Sequence, residues 1–253
     1  MIIIFFIYTL AWFFQAFTGF GAGIFIVSIL SFIHDPKVVI VSSTIVNLLG
    51  ITFMLLFLNR SAKPDFSTLL YLILGSFLGI AISSKILMVI DREALKVLIG
   101  LFILSLGIYD VLVQNNYLKI RLKKSAFLGI LAGFLSGIFA GLIGMGGPPP
   151  VVYLNQICKD VDRIKITLTF FFSTNVLLRI IFYIFYGNPN LWNLNLIIPA
   201  FFSVPLGVFL GFYLSRRVKP VFIKKFIAMS IFLLGAMLTF EGFQEFLSFS
   251  FKH

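Results

Sequence analysis

Asn175 and Arg179 stand one helical turn apart inside an apolar run, and together they could hold an oxyanion. Four positions along a helix place two side chains on one face. The amide offers a donor, and the planar guanidinium matches oxyanion geometry. An arginine at membrane depth is costly unless it meets a cavity or a partner, so Arg179 is a candidate ligand; snorkelling toward the interface is the blander alternative. Asn47 occupies the matching place in the first half, where the equivalent of Arg179 is Ile51. Any role of the arginine is therefore asymmetric. Asn47 and Asn175 either donate to an anion or make interhelical bonds worth about 0.6–2 kcal/mol. The hydroxyls just before them, Ser42, Ser43, Thr44, Ser173 and Thr174, are weaker candidates.

Two glycine clusters supply a different chemistry. One runs Gly19, Phe20, Gly21, Ala22, Gly23, and the other runs Gly144, Met145, Gly146, Gly147 and then Pro148, Pro149, Pro150. Each interrupts a long apolar segment. In hydrocarbon such a break frees backbone groups that lipid cannot satisfy, so it must be buried in protein or line a wet cavity. A helix that restarts after a break points its N–H groups and positive dipole end inward, which suits an anion. Proline fits the first helical turn, so Pro148 reads as a helix start. The alternative is close helix packing through small residues, which suits Gly75, Gly79, Gly129 and Gly133.

The elements that must position these groups are membrane helices. The 253 residues are 60% hydrophobic and 11% charged, with mean hydropathy +1.09. No soluble domain of this size hides so much apolar surface. The apolar runs reach the roughly 20 residues that a bilayer requires, and they lack the alternation of a barrel strand. The sequence predicts an all-α, polytopic membrane protein with elements at 2–33 (broken near 18–23), 38–59, 67–90, 94–113, 126–157 (broken near 144–150), 166–186, 192–214 and 221–247. The first segment lacks a basic n-region and reads as retained rather than cleaved.

The halves repeat. At an offset of 125, Gly19, Gly21 and Asp35 match Gly144, Gly146 and Asp160; at 128, Asn47, Gly79, Lys96 and Gly107 match Asn175, Gly207, Lys224 and Gly235. This predicts a first membrane repeat at 1–118, a basic linker at 119–125 and a second repeat at 126–253. If each broken segment is a hairpin returning to its own side, loops 60–63, 119–124, 159–165 and 216–225 share one face. That obeys the positive-inside bias better than single crossings do, and it inverts the second half relative to the first. Both termini then lie outside, and the basic loops lie in the cytoplasm.

The residues Gly137-Ile-Phe-Ala-Gly141-Leu-Ile-Gly144-Met-Gly146-Gly147-Pro148-Pro149, followed by Tyr153 and Leu154, resemble the sulfite exporter TauE/SafE family. So does Gln15-Ala-Phe-Thr-Gly19-Phe-Gly21-Ala-Gly23, although Ala22 departs from a fuller glycine run. The resemblance covers essentially the whole chain. It implies a transporter of the cytoplasmic membrane linked to small sulfur-containing anions such as sulfite and organosulfonates.

The expected site joins Gly19, Gly21, Gly23, Asn47, Gly144, Gly146, Gly147, Pro148, Asn175 and Arg179 around a small anionic substrate. No cofactor and no metal is expected, since the chain has one cysteine and two histidines. The same scarcity counts against a membrane-embedded enzyme; a non-transporting assembly partner is the other alternative. The net charge of +11 is read as loops facing anionic lipid rather than nucleic acid. The residues leave the particular anion, the coupling ion and the oligomeric state open.

Overall fold

The computed structural model describes residues 1–57, 63–114, 122–215 and 233–244. Every regular element among them is helical. In chain order these are α1 (Ile2–Thr18), α2 (Ala22–Leu30), α3 (Pro36–Phe57), α4 (Phe66–Val89), α5 (Arg92–Gln114), α6 (Ala126–Ile143), α7 (Pro148–Ile157), α8 (Val161–Tyr186), α9 (Leu194–Ile197) and α10 (Ala200–Ser215), with a 3-10 turn at Pro189–Leu191. Residues 233–244 are also helical. Lys119, Arg121, the loop 216–225 and most of the expected last element lie outside the described residues.

Helices α3, α4, α6 and α8 are long and apolar enough to cross a membrane, and the bent pair Pro189–Ile197 with α10 adds a fifth if it counts as one span. Their outer faces keep stripes of exposed apolar side chains, such as Leu74, Leu78 and Ile82 on α4 and Leu177, Ile181 and Phe185 on α8. Such stripes at helical spacing suit lipid rather than water. The chain is a multi-pass membrane protein.

Two boundaries differ from the sequence reading. Helix α8 starts at Val161, not near 166, because the Asp160 carboxylate caps it, accepting from the N–H groups of Asp162 and Arg163 at 3.0 and 3.2 Å. The charges there ride on the first turn of a helix. The segment expected as one span at 192–214 bends by 59° between Ile197 and Ala200, where Pro199 supplies no N–H to continue the ladder.

Helix α4 works as a ruler, since 24 residues span about 36 Å. At its start, the Asp65 N–H donates to Thr167 Oγ1 at 3.0 Å, and its carboxylate meets Lys124 Nζ at 2.6 Å. The first turns of α8 and the lead into α6 therefore sit at this end. At the other end, Lys37 Nζ donates to the Met88 carbonyl at 3.1 Å, so α3 begins there. A methyl added to Gly187 would lie 3.3 Å from Met88 Cε, so α8 finishes there. Residues 34–37 and 160–167 thus occupy opposite ends of α4.

Where lipid offers no hydrophobic drive, helices associate by close backbone approach. Helices α4 and α6 run side by side in the same direction. A methyl on Gly79 would lie 2.4 Å from the Phe134 carbonyl oxygen, and one on Gly137 would lie 2.4 Å from that of Ser76. Helices α1 and α10 make the same contact, with Gly207 against the Thr9 carbonyl and Gly211 against that of Phe13, at 2.4 and 2.5 Å. Gly75, Gly79 and Gly133 are therefore packing residues, and Gly129 faces Tyr71 and Tyr153. In α5, Lys96 is 1% exposed and pairs with Glu241 at 2.8 Å, tying that helix to 233–244.

Candidate anion-binding site

The first break places Gly19 (φ 93°) at the end of α1 and Gly21 (φ 118°) before α2. Both lie in the left-handed region that side-chain-bearing residues avoid. The second break ends α6 at Gly144 (φ 76°) and restarts the helix at Pro148. Across each break the two flanking segments touch. Phe14 stacks on Phe25, with ring centroids 4.9 Å apart. The Tyr153 hydroxyl donates to the Ser125 carbonyl at 2.8 Å and accepts from its N–H at 3.1 Å. That pairing returns the middle of α7 to the lead into α6.

The side chains before each break satisfy much of its backbone. Gln15 Oε1 accepts from the Ala22 N–H at 2.8 Å, and the Thr18 hydroxyl donates to the Phe20 carbonyl at 2.6 Å. The Gly144 N–H reaches the Ala140 carbonyl at 3.0 Å, that of Met145 reaches Phe139 at 3.1 Å, and Ser136 Oγ donates to the Gly146 carbonyl. The breaks also touch each other, since a methyl on Gly23 would lie 2.7 Å from the Gly144 carbonyl oxygen. Only glycine permits that approach.

Between the breaks lies a cavity of about 70 Å³. Its lining includes Gly21, Gly23, Asn47, Gly144, Gly146, Gly147, Pro148, Asn175 and Arg179. Those are nine of the ten residues expected from sequence; Gly19 shapes the turn but is not in the lining. Gln15, Phe20, Ile51, Ala140, Met145 and Phe172 are among the remaining lining residues. At the two sequence offsets, Gly21 pairs with Gly146, Gly23 with Pro148, Asn47 with Asn175 and Ile51 with Arg179.

Arg179 is 3% exposed. Its Nη2 donates to Thr44 Oγ1 at 3.0 Å and to the Ile40 carbonyl at 3.3 Å, and its Nε donates to the Tyr183 hydroxyl at 3.3 Å. Tyr183 in turn donates to the Gly141 carbonyl at 2.8 Å, and its ring centre lies 5.5 Å from the guanidinium carbon. All these partners are neutral, and among the described residues no carboxylate lines the cavity. The site therefore carries a net positive charge in a low-dielectric setting, where a counter-charge is worth most. Asn175, also 3% exposed, has no hydrogen-bond partner among the described residues for either Oδ1 or Nδ2.

The triple proline narrows one expectation. Pro148, Pro149 and Pro150 carry no N–H, so the start of α7 presents its dipole while Gly146 and Gly147 supply the nearby backbone donors. Tyr183 and Gln15 were not among the residues expected at the site. The signal for Tyr183 was its place four residues beyond Arg179; Gln15 caps across a break and had no such cue.

A family model described as Sulfite exporter TauE/SafE matches residues 4–238. The chain belongs to the sulfite exporter TauE/SafE family. No curated protein and no solved structure matches it. In this TauE/SafE protein both breaks, both asparagines and Arg179 fall inside the matched residues.

Proposed function

We propose that this TauE/SafE protein carries small oxyanions of the sulfite type out of the cell across the cytoplasmic membrane. The observation that carries the reading is the convergence of both glycine breaks on one cavity that holds a buried arginine and, among the described residues, no carboxylate. The backbone near Gly21, Gly23, Gly146 and Gly147 approaches the ion closely. Asn47, Asn175 and Arg179 supply side-chain donors, and Pro148 starts a helix whose positive end faces the cavity. Gly19 holds the first turn open.

The two repeats are inverted, and each opens with a re-entrant hairpin. Three geometric facts support this arrangement. The middle of α7 meets the lead into α6 at Tyr153 and Ser125. Residues 34–37 and 160–167 lie at opposite ends of α4. The contact of Gly79 with Phe134 is mirrored by that of Gly207 with Thr9, shifted by the same two sequence offsets. Inverted repeats place a site at the midplane, where rocking of one half against the other exposes it alternately. With the interior negative, outward movement of one negative charge releases about 2.3 kcal/mol per 100 mV, which favours export.

Sulfite uptake into proteoliposomes tests the reading. Flux above that of empty vesicles is expected, and Asn175→Leu and Gly146→Leu should suppress it. Absence of flux for sulfite, sulfate and sulfonates with well-folded protein would overturn it.

A further inference from the structure

We infer that the cavity selects an oxyanion with a single negative charge that still holds one acidic O–H, the half-ionised form of a dibasic oxyacid; this rests on the function proposed above. Asn175 carries the inference. Asn175 belongs to the cavity lining, is nearly fully buried and, among the described residues, leaves both Oδ1 and Nδ2 without a partner. Exchanging the two ends of the amide changes nothing, because one donor and one acceptor stay orphaned either way. A fully ionised oxyanion offers acceptors alone. It would satisfy Nδ2 and turn its charge on Oδ1. A ligand with one O–H and one bare oxygen satisfies both atoms.

Charge leads to the same ligand. Among the described residues, Arg179 is the only titratable side chain in the lining, and a guanidinium stays protonated. The groups around it, Thr44 and the Ile40 carbonyl on α3 and Tyr183 on α8, are neutral. The side chains that α1, α2, α6 and α7 contribute to the lining do not ionise. One negative charge balances one arginine, whereas a dianion leaves a buried net charge. Size agrees, since the cavity of about 70 Å³ has room for roughly five water-sized groups, the bulk of an ion with four or five heavy atoms.

The test is calorimetric binding to the full chain in nanodiscs across the second ionisation of the probe acid. Sulfite and selenite are the probes that can keep an acidic proton. Methanesulfonate is the control, with one charge, similar bulk and no O–H. Half-ionised sulfite or selenite should bind about ten- to hundredfold more tightly than methanesulfonate. Apparent affinity for both probes should fall about tenfold per pH unit above that ionisation, while methanesulfonate binding stays level. Asn175→Leu should abolish the preference. Equal affinity for methanesulfonate, or tighter binding of the dianions, would overturn the inference and leave the oxyanion reading standing. Failure to bind any of these anions would overturn both. If Asn175→Leu does not fold, the wild-type comparison decides alone.

Discussion

Arg179 is held by three neutral partners from two helices, so its charge and its placement can be separated by substitution. Arg179→Met should weaken sulfite binding by tenfold or more, on the scale of about 1.5–3 kcal/mol for a hydrogen bond to a charged group. Arg179→Lys keeps the charge but cannot serve Thr44, Ile40 and Tyr183 from one planar fork, so it should fall between the two in the same titration. Asp65 offers a residue-scale test of architecture. Its burial disfavours ionisation, but hydrogen bonds from Lys124, Ser67 and Thr68 outweigh that and hold its carboxyl well below the usual carboxylate range. A group whose pKa is depressed by folding stabilises above its unfolded value, near 3.9, and the gain fades as pH falls through the folded value. Asp65→Ala should lower stability by about 1 kcal/mol as a lost helix cap. In thermal unfolding the gap to wild type should hold from neutral pH to about pH 4 and narrow below it.

At the scale of the helix, glycines of the same type do two jobs, and substitution should tell them apart. A methyl on Gly137 meets the backbone of α4 at 2.4 Å, whereas one on Gly147 meets only the Phe20 ring at 3.3 Å. Gly137→Ala should therefore cost about 1–3 kcal/mol through overpacking, read as loss of monodisperse protein on gel filtration. Gly147→Ala should fold and show its defect in transport. The breaks themselves were legible in the sequence because positive-φ glycine and helix-starting proline leave local signatures, and Asn47 and Asn175, paired under the proposed repeat, line one cavity. What sequence could not supply were partners far along the chain. The grip of Thr44 on Arg179 joins residues 135 positions apart, and the pairing of Lys96 with Glu241 joins residues 145 apart. The early start of α8 was hidden because Asp162, Arg163 and Lys165 read as loop until Asp160 is seen to cap them.

For the whole molecule, the decisive question is which loops share a face. In a Cys158→Ser background, His34→Cys and Lys159→Cys should be labelled by a membrane-impermeant thiol reagent from opposite sides, with Lys159→Cys reached from the cytoplasm. Labelling of both from one side would return the halves to a parallel arrangement. The two ends of the helical pack also carry matching contacts. On one side the Asp65 N–H meets Thr167, and on the other the Asn193 N–H meets Ser42 at 2.8 Å. The prolines that open α7 break this likeness. A helix end stripped of its donors pulls on negative charge without imposing a directional template, so it tolerates pyramidal, tetrahedral or substituted headgroups alike. Under the proposed function, discrimination then falls to α8, and retuning the protein for a different cargo becomes a matter of altering a few side chains there while both turns are left untouched.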